Sequence, residues 1–377
     1  MSQTVTFGIV SGYGATERAV AAELRTSDDC AVLIAGRDLE KANAFAAQLG
    51  DRVSAARVDV MAPGSLDALC GRCSIVINCV GPVMMLRDRV AQAALRQRCH
   101  YVDVAGLSLV REALQARERE ITEARLSYVV SAGWLPGLTE VLPLYAYATA
   151  KSRLDRMDSV TLYVGDSGEW SENAIRDAAW FVHKSGLPGT PCFRNGELMR
   201  ASMADGMCKI GLPEPVGTRR FSLYLTAEQA AVGHSLRDCA FSAYSYLPRF
   251  RTALVGAAVA LLPLPESLQV RLLRGALRAE SLPVGGFAVA QVRGQKDGGA
   301  ALFSAQFTFD RDRGYWLNGL VAATTARYIA DGKIRPGLRY LAEAVDAASL
   351  VATLKSAGVQ QTEWVEAEAR SDGAGGD

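Results

Sequence analysis

The sequence predicts an α/β protein in which a doubly wound parallel sheet of the Rossmann type is joined to a second, α+β domain with a mixed sheet. Three observations predict it. Strand and helix patterns alternate over the first third of the chain, as a parallel sheet with crossover helices requires. A Gly12-Tyr13-Gly14 turn lies directly between the first strand and the first helix, where a dinucleotide fold places its phosphate-binding turn. After about Leu138 the alternation stops, and strand-like segments follow without regular crossovers.

Val5–Val10 is a short apolar strand, and Ala15–Leu24 carries Ala19, Val20, Ala22 and Leu24 as an apolar helical stripe. Residues 31–35 form a second buried strand, ending at Gly36-Arg37-Asp38. Leu39–Leu49 is a helix with Ala42, Phe45, Ala46 and Leu49 at helical spacing, and Asp38 is its candidate N-cap. Residues 53–60 are a third strand, 65–70 begin a short helix, and the fourth strand, 74–80, is closed by Gly81-Pro82. A helix over 89–98, a strand over 100–104, a single charged helix over 111–124 and a strand over 127–132 complete the alternating region. Beyond it, strands are expected at 159–164, 220–226, 287–292 and 302–309, and helices at 171–183 and 268–277, with Ser171 as an N-cap. Residues 316–358 read as helical again, and the Gly/Ser/Asp tail after Ala369 as disordered.

Composition excludes some classes of function. The 41 basic and 40 acidic side chains of the 377-residue chain cancel to +1, so no global field favours nucleic acid or an anionic membrane, and both are set aside as partners. The N-terminus has no signal-peptide pattern. The most apolar stretch, 253–264, is too short to span a bilayer and is interrupted by Pro263. It reads as a core helix first, a dimer contact second and a shallow membrane contact third. Cys70 and Cys73 form a CxxC pair, but the three histidines, His100, His183 and His234, are not spaced for zinc. The pair is read as reduced thiols of a cytoplasmic protein, and no metal is expected.

The chemistry gathers at strand ends. Gly12 and Gly14 allow backbone N–H groups at a helix start to approach a pyrophosphate, and Thr16 adds a hydroxyl. Arg37 stands where an NAD enzyme usually carries an acid for the ribose, so its planar fork is a candidate for a 2′-phosphate, and NADP is favoured over NAD. Asn78, Cys79, Val80, Gly81 and Pro82 end the fourth strand with small residues, which let a nicotinamide approach the backbone. Tyr101 and Asp103, two residues apart on the next strand, share a face and are the candidate catalytic pair, as proton donor or amine binder, against the alternative of a capping and packing pair.

Together GYG, AGRD at 35–38, INCVGP at 77–82, HYVDVAG at 100–106 and AGWLPGL at 132–138 resemble the saccharopine dehydrogenase-like (saccharopine reductase-like) oxidoreductases, in order and spacing, over about residues 5 to 140. The resemblance implies an NADP-type domain, an inserted substrate domain and a C-terminal return to the first domain. The expected divisions are 1–138, 139–314 and 315–366, with 367–377 a tail. It adds Gly133 and Pro136 to the expected cofactor set of Gly12, Gly14, Ala15, Thr16, Arg37, Asp59, Asn78, Val80, Gly81 and Pro82. Glu169, Trp170, Arg176 and Tyr315 are its substrate candidates. Ser11 and Glu17 replace two glycines of the family pattern, and Glu17 is expected to turn outward to solvent.

The expected function is hydride transfer between NADP(H) and a C=N bond of a small molecule, by a homodimer. The alternatives are a trans-acting enoyl reductase working on a carrier-bound substrate, and a non-catalytic dinucleotide-binding sensor or scaffold.

Overall fold

The structure, a computed structural model, describes residues 4–11, 13–26, 30–168, 170–185, 191–194, 196–201, 206–236, 238–247, 250–277, 282–310 and 312–367. Gly12, Glu169 and the tail from 368 onward lie outside the described residues. The first part of the chain runs β1 (Val5–Val10), α1 (Ala15–Leu24), β2 (Cys30–Gly36), α2 (Leu39–Leu49), β3 (Val53–Arg57), α3 (Pro63–Cys70), β4 (Ile75–Asn78), α4 (Val83–Leu86), α5 (Arg89–Arg96), β5 (His100–Asp103), α6 (Leu107–Gln115), α7 (Glu118–Glu123), β6 (Ser127–Val130) and α8 (Leu138–Ala150). It continues through β7 (Arg156–Asp166), α9 (Glu172–Ser185), β8 (Pro191–Arg194), β9 (Glu197–Arg200), β10 (Met207–Gly211), β11 (Thr218–Leu223), α10 (Ala227–Ser235), β12 (Ala240–Tyr246), α11 (Phe250–Leu261) and α12 (Glu266–Leu277). The last elements are β13 (Gly286–Lys296), β14 (Gly299–Phe309), α13 (Gly314–Ala330), β15 (Gly337–Tyr340), α14 (Leu341–Ala344), α15 (Ala347–Ser356) and β16 (Gln360–Ala367).

Among the described residues, seven strands form a parallel sheet in the order β15-β6-β5-β4-β1-β2-β3. The chain adds strands in one direction from β1 to β3 and in the other from β4 to β6. The switch point therefore lies between β1 and β4, and the crevice outside their carboxyl ends is where such sheets bind ligands. The second sheet, β10-β11-β12-β7-β13-β14-β16 with β8 and β9 attached, is mixed: β12 and β7 are parallel and the other pairs antiparallel. The fold is α/β, a Rossmann-type parallel sheet with a second, mixed one.

Two expectations about elements need correction. The charged helix over 111–124 is two helices, because the Arg117 N–H bonds the Leu114 carbonyl at 2.8 Å, a three-residue turn that leaves the α-helical ladder. The stretch 316–358 is not continuously helical. Pro336 cannot extend a helix, and β15 follows it as the edge strand beside β6. The C-terminal region also feeds both sheets, since β16 pairs with β14.

One apolar core joins the two sheets. Phe7 and Ile9 on β1, Val141, Leu142 and Ala146 on α8, Phe303 and Phe307 on β14, and Leu317 and Val321 on α13 all belong to it. The opposite face of the parallel sheet, with Val10, Val76, Tyr101 and Tyr128, packs on α3, α5 and α6, as the two-residue period of a strand requires. Helix α13 is pressed against α1: a side chain at Gly319 would collide with Ala19 and come within 2.8 Å of the Thr16 carbonyl. Helix α1, which follows the turn after β1, is thus clamped by a helix from far along the chain.

Candidate functional site: the carboxyl edge of the parallel sheet

The turn after β1 is built by Ser11, Tyr13 and Gly14, with Gly14 the N-cap of α1. Tyr13 reaches across to the end of β2. Its hydroxyl accepts the Asp38 N–H at 3.0 Å, and its ring lies 2.8 Å from where a Cβ on Gly36 would be. Asp38 caps α2 through the Lys41 N–H, as expected. Arg37 is exposed and has no hydrogen-bonding partner among the described residues, so its guanidinium is available to an anion. Asp59, beyond the end of β3, is exposed and accepts the Met61 N–H at 2.9 Å.

Glu17 departs from the expectation. It is 5% exposed, not turned out to solvent. The helical period explains this: residues 17, 20, 21 and 24 fall on one stripe, and Val20, Ala21 and Leu24 are the residues α1 buries against the sheet. The carboxylate folds back onto the turn, where a Cβ on Gly14 would collide with Oε2 and lie 3.0 Å from Oε1. Burial raises its pKa, opposed first by a hydrogen bond from Ser11. The Glu17 charge is also felt by the Cys79 thiol at the end of β4, whose pKa burial pushes well up.

The edges of β4 and β5 carry a closed polar network. The Asn78 amide donates to Tyr101 Oη and to Asp103 Oδ2, both at 3.1 Å, and the Tyr101 hydroxyl donates to Asp103 Oδ2. Asn78 Oδ1 in turn accepts the Val80 N–H at 3.2 Å, and Asp103 Oδ1 the Ala105 N–H at 3.0 Å. Tyr101 is 0% exposed. Burial holds the Asp103 carboxyl above its ordinary range, and the bonds from Tyr101 and Asn78 work against that. The network fixes the backbone leaving both strands.

Helix α9, which follows β7 of the mixed sheet, arrives over this edge. Ser171 caps α9 through the Ala174 N–H, as read from the sequence. From the next turn Asn173 donates to the Gly81 carbonyl at 3.0 Å, and the Asp177 carboxylate accepts the N–H groups of Val83 and Met84 at 3.1 and 3.3 Å. Asp177 thus caps the start of α4 from a helix distant in sequence. Burial pushes its pKa up to about 6, and burial does the same for Asp166 at the end of β7, also to about 6.

The weaker candidates divide. Tyr315 reaches the start of α9, its hydroxyl accepting the Ser171 N–H at 2.7 Å. Trp170 donates to Asp166 and packs among the apolar residues between α9, α11 and α12. Arg176 faces away from the edge, paired with Glu172 at 2.9 Å and Glu266 at 3.7 Å. Gly133 and Pro136 are buried in the loop that seats Trp134, with the Gly133 N–H bonded to the Pro136 carbonyl and Asn318 Oδ1 accepting the Trp134 N–H. Gly137 closes this loop at φ 130°, where a side chain would strike Gly133 and Ser131. Ala15 is exposed beside the turn and Thr16 half-buried. Sequence reasoning missed Tyr13, Asn173, Asp177 and Asn318.

Residues 9–129 match the model of the saccharopine dehydrogenase NADP binding domain. The resemblance read in the sequence is to this same family. Beside it stands a likeness of 34% identity over 74 residues to an Arabidopsis thaliana protein described as a probable mitochondrial saccharopine dehydrogenase-like oxidoreductase, covering 20% of this chain and 16% of that protein. The chain thus aligns with about a sixth of that relative. The fold is similar to that of apo saccharopine dehydrogenase (L-Glu forming) from Saccharomyces cerevisiae, with a TM-score of 0.64 at 16% identity over 96% of this chain and 100% of the other. It is also similar to a probable dehydrogenase from Thermotoga maritima, with a TM-score of 0.52 at 10% identity, covering 95% and 98%.

The saccharopine dehydrogenase NADP binding domain implies a dinucleotide. The β2 end fits one: Gly36, the Tyr13 ring and Arg37, unpaired among the described residues, offer a floor and a cation for the adenosine half. The turn itself fits with one disagreement, since the space beside Gly14 holds the Glu17 carboxylate.

Proposed function

We propose that this chain is an oxidoreductase that moves a hydride between NADP(H) and a carbon–nitrogen bond, an imine or secondary amine, in the cleft between its two sheets. The observation that most supports this is where α9 lands. Asn173 and Asp177 engage the turn after β4, beside the switch point, so a substrate carried by the second domain is held over that half of the crevice. In this reading 1–138 hold the cofactor, 139–314 the substrate, and 315–366 return to brace the first domain.

Bound NADPH supplies the hydride. Arg37 reads its 2′-phosphate, and the Val80 backbone, held by Asn78, lines the inner half of its site. Asp166 and Asp177, with pKa values of about 6, are mostly ionised at neutral pH. They favour a cationic iminium over a neutral enoyl group. Tyr101 and Asp103 are positioning residues here, because a group that is fully buried and bonded to its neighbour does not touch substrate. A second reading, binding without turnover, is favoured by the inward Glu17 carboxylate.

The test is NADPH consumption, followed by absorbance, with panels of imines formed from amines and 2-oxo acids and of enoyl thioesters. Turnover with imines is expected, and Asp177→Asn should lower kcat about tenfold or more while the protein stays folded. Saturable NADPH binding without consumption on either panel overturns the catalytic reading in favour of binding alone.

A further inference from the structure

We propose that Glu17 is a built-in competitor for the cofactor's pyrophosphate: its carboxylate occupies the space beside the second glycine of the turn that the anion would take, and binding requires it to swing out. This deepens the dinucleotide reading and rests on it.

The second glycine of a dinucleotide turn lacks a side chain so that the backbone can approach the pyrophosphate. In this chain the direction in which a side chain on Gly14 would project is filled by the Glu17 carboxylate. The start of α1 is otherwise uncapped, since Gly14 provides no side-chain hydrogen bond. A carboxylate there has the same attraction to the helix N-terminus as a phosphate. It accepts from its own N–H and from the Ser11 hydroxyl. Ser11 sits at φ 124°, a conformation that glycine adopts without strain. Ser11 and Glu17 are the two positions at which the turn departs from glycine, and they are bonded to each other. They behave as one device, an anion and the donor that holds it.

The surroundings keep the carboxylate in place. Arg18 on the same helix turns away, its Nε bonded to the Tyr13 carbonyl and its guanidinium over the Phe45 ring. On the outer side α13 meets α1 closely, with Gly319 against Ala19 and the Thr16 carbonyl, so the packing opposes a shift of α1. On the inner side lies Cys79. The side chain itself must move.

The experiment titrates the wild-type protein, Glu17→Gln and Glu17→Gly with NADPH and with adenosine 2′-monophosphate, which carries the 2′-phosphate but no pyrophosphate. NADPH fluorescence reads the first, calorimetry the second. The proposal expects Glu17→Gly to tighten NADPH about tenfold or more and Glu17→Gln severalfold, with adenosine 2′-monophosphate unchanged in both. It is overturned if both variants bind NADPH within twofold of wild type, if only Glu17→Gly tightens, or if adenosine 2′-monophosphate tightens equally. No NADPH binding by any of the three proteins would overturn the dinucleotide reading and this proposal together. Wild-type binding with unchanged variants removes this proposal alone.

Discussion

Two buried polar groups stand at the carboxyl edge of the same parallel sheet, and they are built in opposite ways. At β4 and β5, Asn78, Tyr101 and Asp103 match donors to acceptors, and the remaining oxygens hold backbone N–H groups. Beyond β6, Glu140 on α8 and Glu228 on α10 are 1% and 2% exposed and lie within each other's field. Glu140 accepts the Gly137 N–H at 2.5 Å and the Thr139 hydroxyl at 2.8 Å, and Glu228 accepts the Ser131 hydroxyl at 2.9 Å. Each leaves one carboxylate oxygen without a hydrogen bond among the described residues. A closed network in a low-dielectric site is rigid, whereas two carboxyls with surplus lone pairs take up a proton. Burial first, and the Glu228 charge second, push the Glu140 pKa up to about 7. The Arg111 cation, paired with Glu343 and stacked on Tyr340, acts on Glu228 from α6. The first group suits positioning, and the second suits a proton-linked contact between α8 and α10.

The largest effect is expected at the closed network. Asp103→Ala leaves the Tyr101 hydroxyl and one Asn78 donor buried without their partner, at a cost of about 3–5 kcal/mol from two orphaned groups. Urea unfolding measures it, and a loss under 1 kcal/mol would show that the network is not closed. Next comes the carboxyl pair. A carboxyl whose folded pKa is raised adds stability that is complete below the unfolded value near 4.5 and is lost as pH rises through the folded value of about 7. The loss is about 3–4 kcal/mol, from about 2.5 pH units at 1.36 kcal/mol each. Glu140→Gln should flatten this dependence and leave the protein more stable than wild type at pH 8, read by thermal unfolding across pH. The smallest effect is Ser131→Ala, which takes one donor from Glu228 and should cost about 1 kcal/mol.

The same contrast marks what the sequence made legible. Six strands of the first sheet, β1 to β6, could be read because each is a short apolar run punctuated by glycine, whereas β15 fell inside a stretch read as helical. Tyr101 and Asp103 could be paired because a strand repeats every two residues. Glu17 was misread: a charge in the first helical turn suggests a solvent-facing residue, whereas its spacing from Val20, Ala21 and Leu24 places it on the buried stripe. Asp177 gave no such signal. On its helix it is one acid beside Arg176, and it acquires a role only when α9 meets the turn after β4. β12 and β16 were hidden for a related reason, since polar alternation such as Gln360–Ala367 becomes a strand only beside the partner that tertiary structure supplies.

The central claim is that the crevice at the switch point takes NADP(H), read by Arg37. Equilibrium titration of wild type and Arg37→Ala with NADPH and NADH tests it most directly. A charge-assisted contact from the guanidinium to the 2′-phosphate is worth about 1.5–3 kcal/mol. Wild type should therefore bind NADPH roughly tenfold to hundredfold more tightly than NADH, and Arg37→Ala should erase the preference by weakening NADPH alone. Equal affinities in the wild type, or a preference that survives in Arg37→Ala, would contradict it.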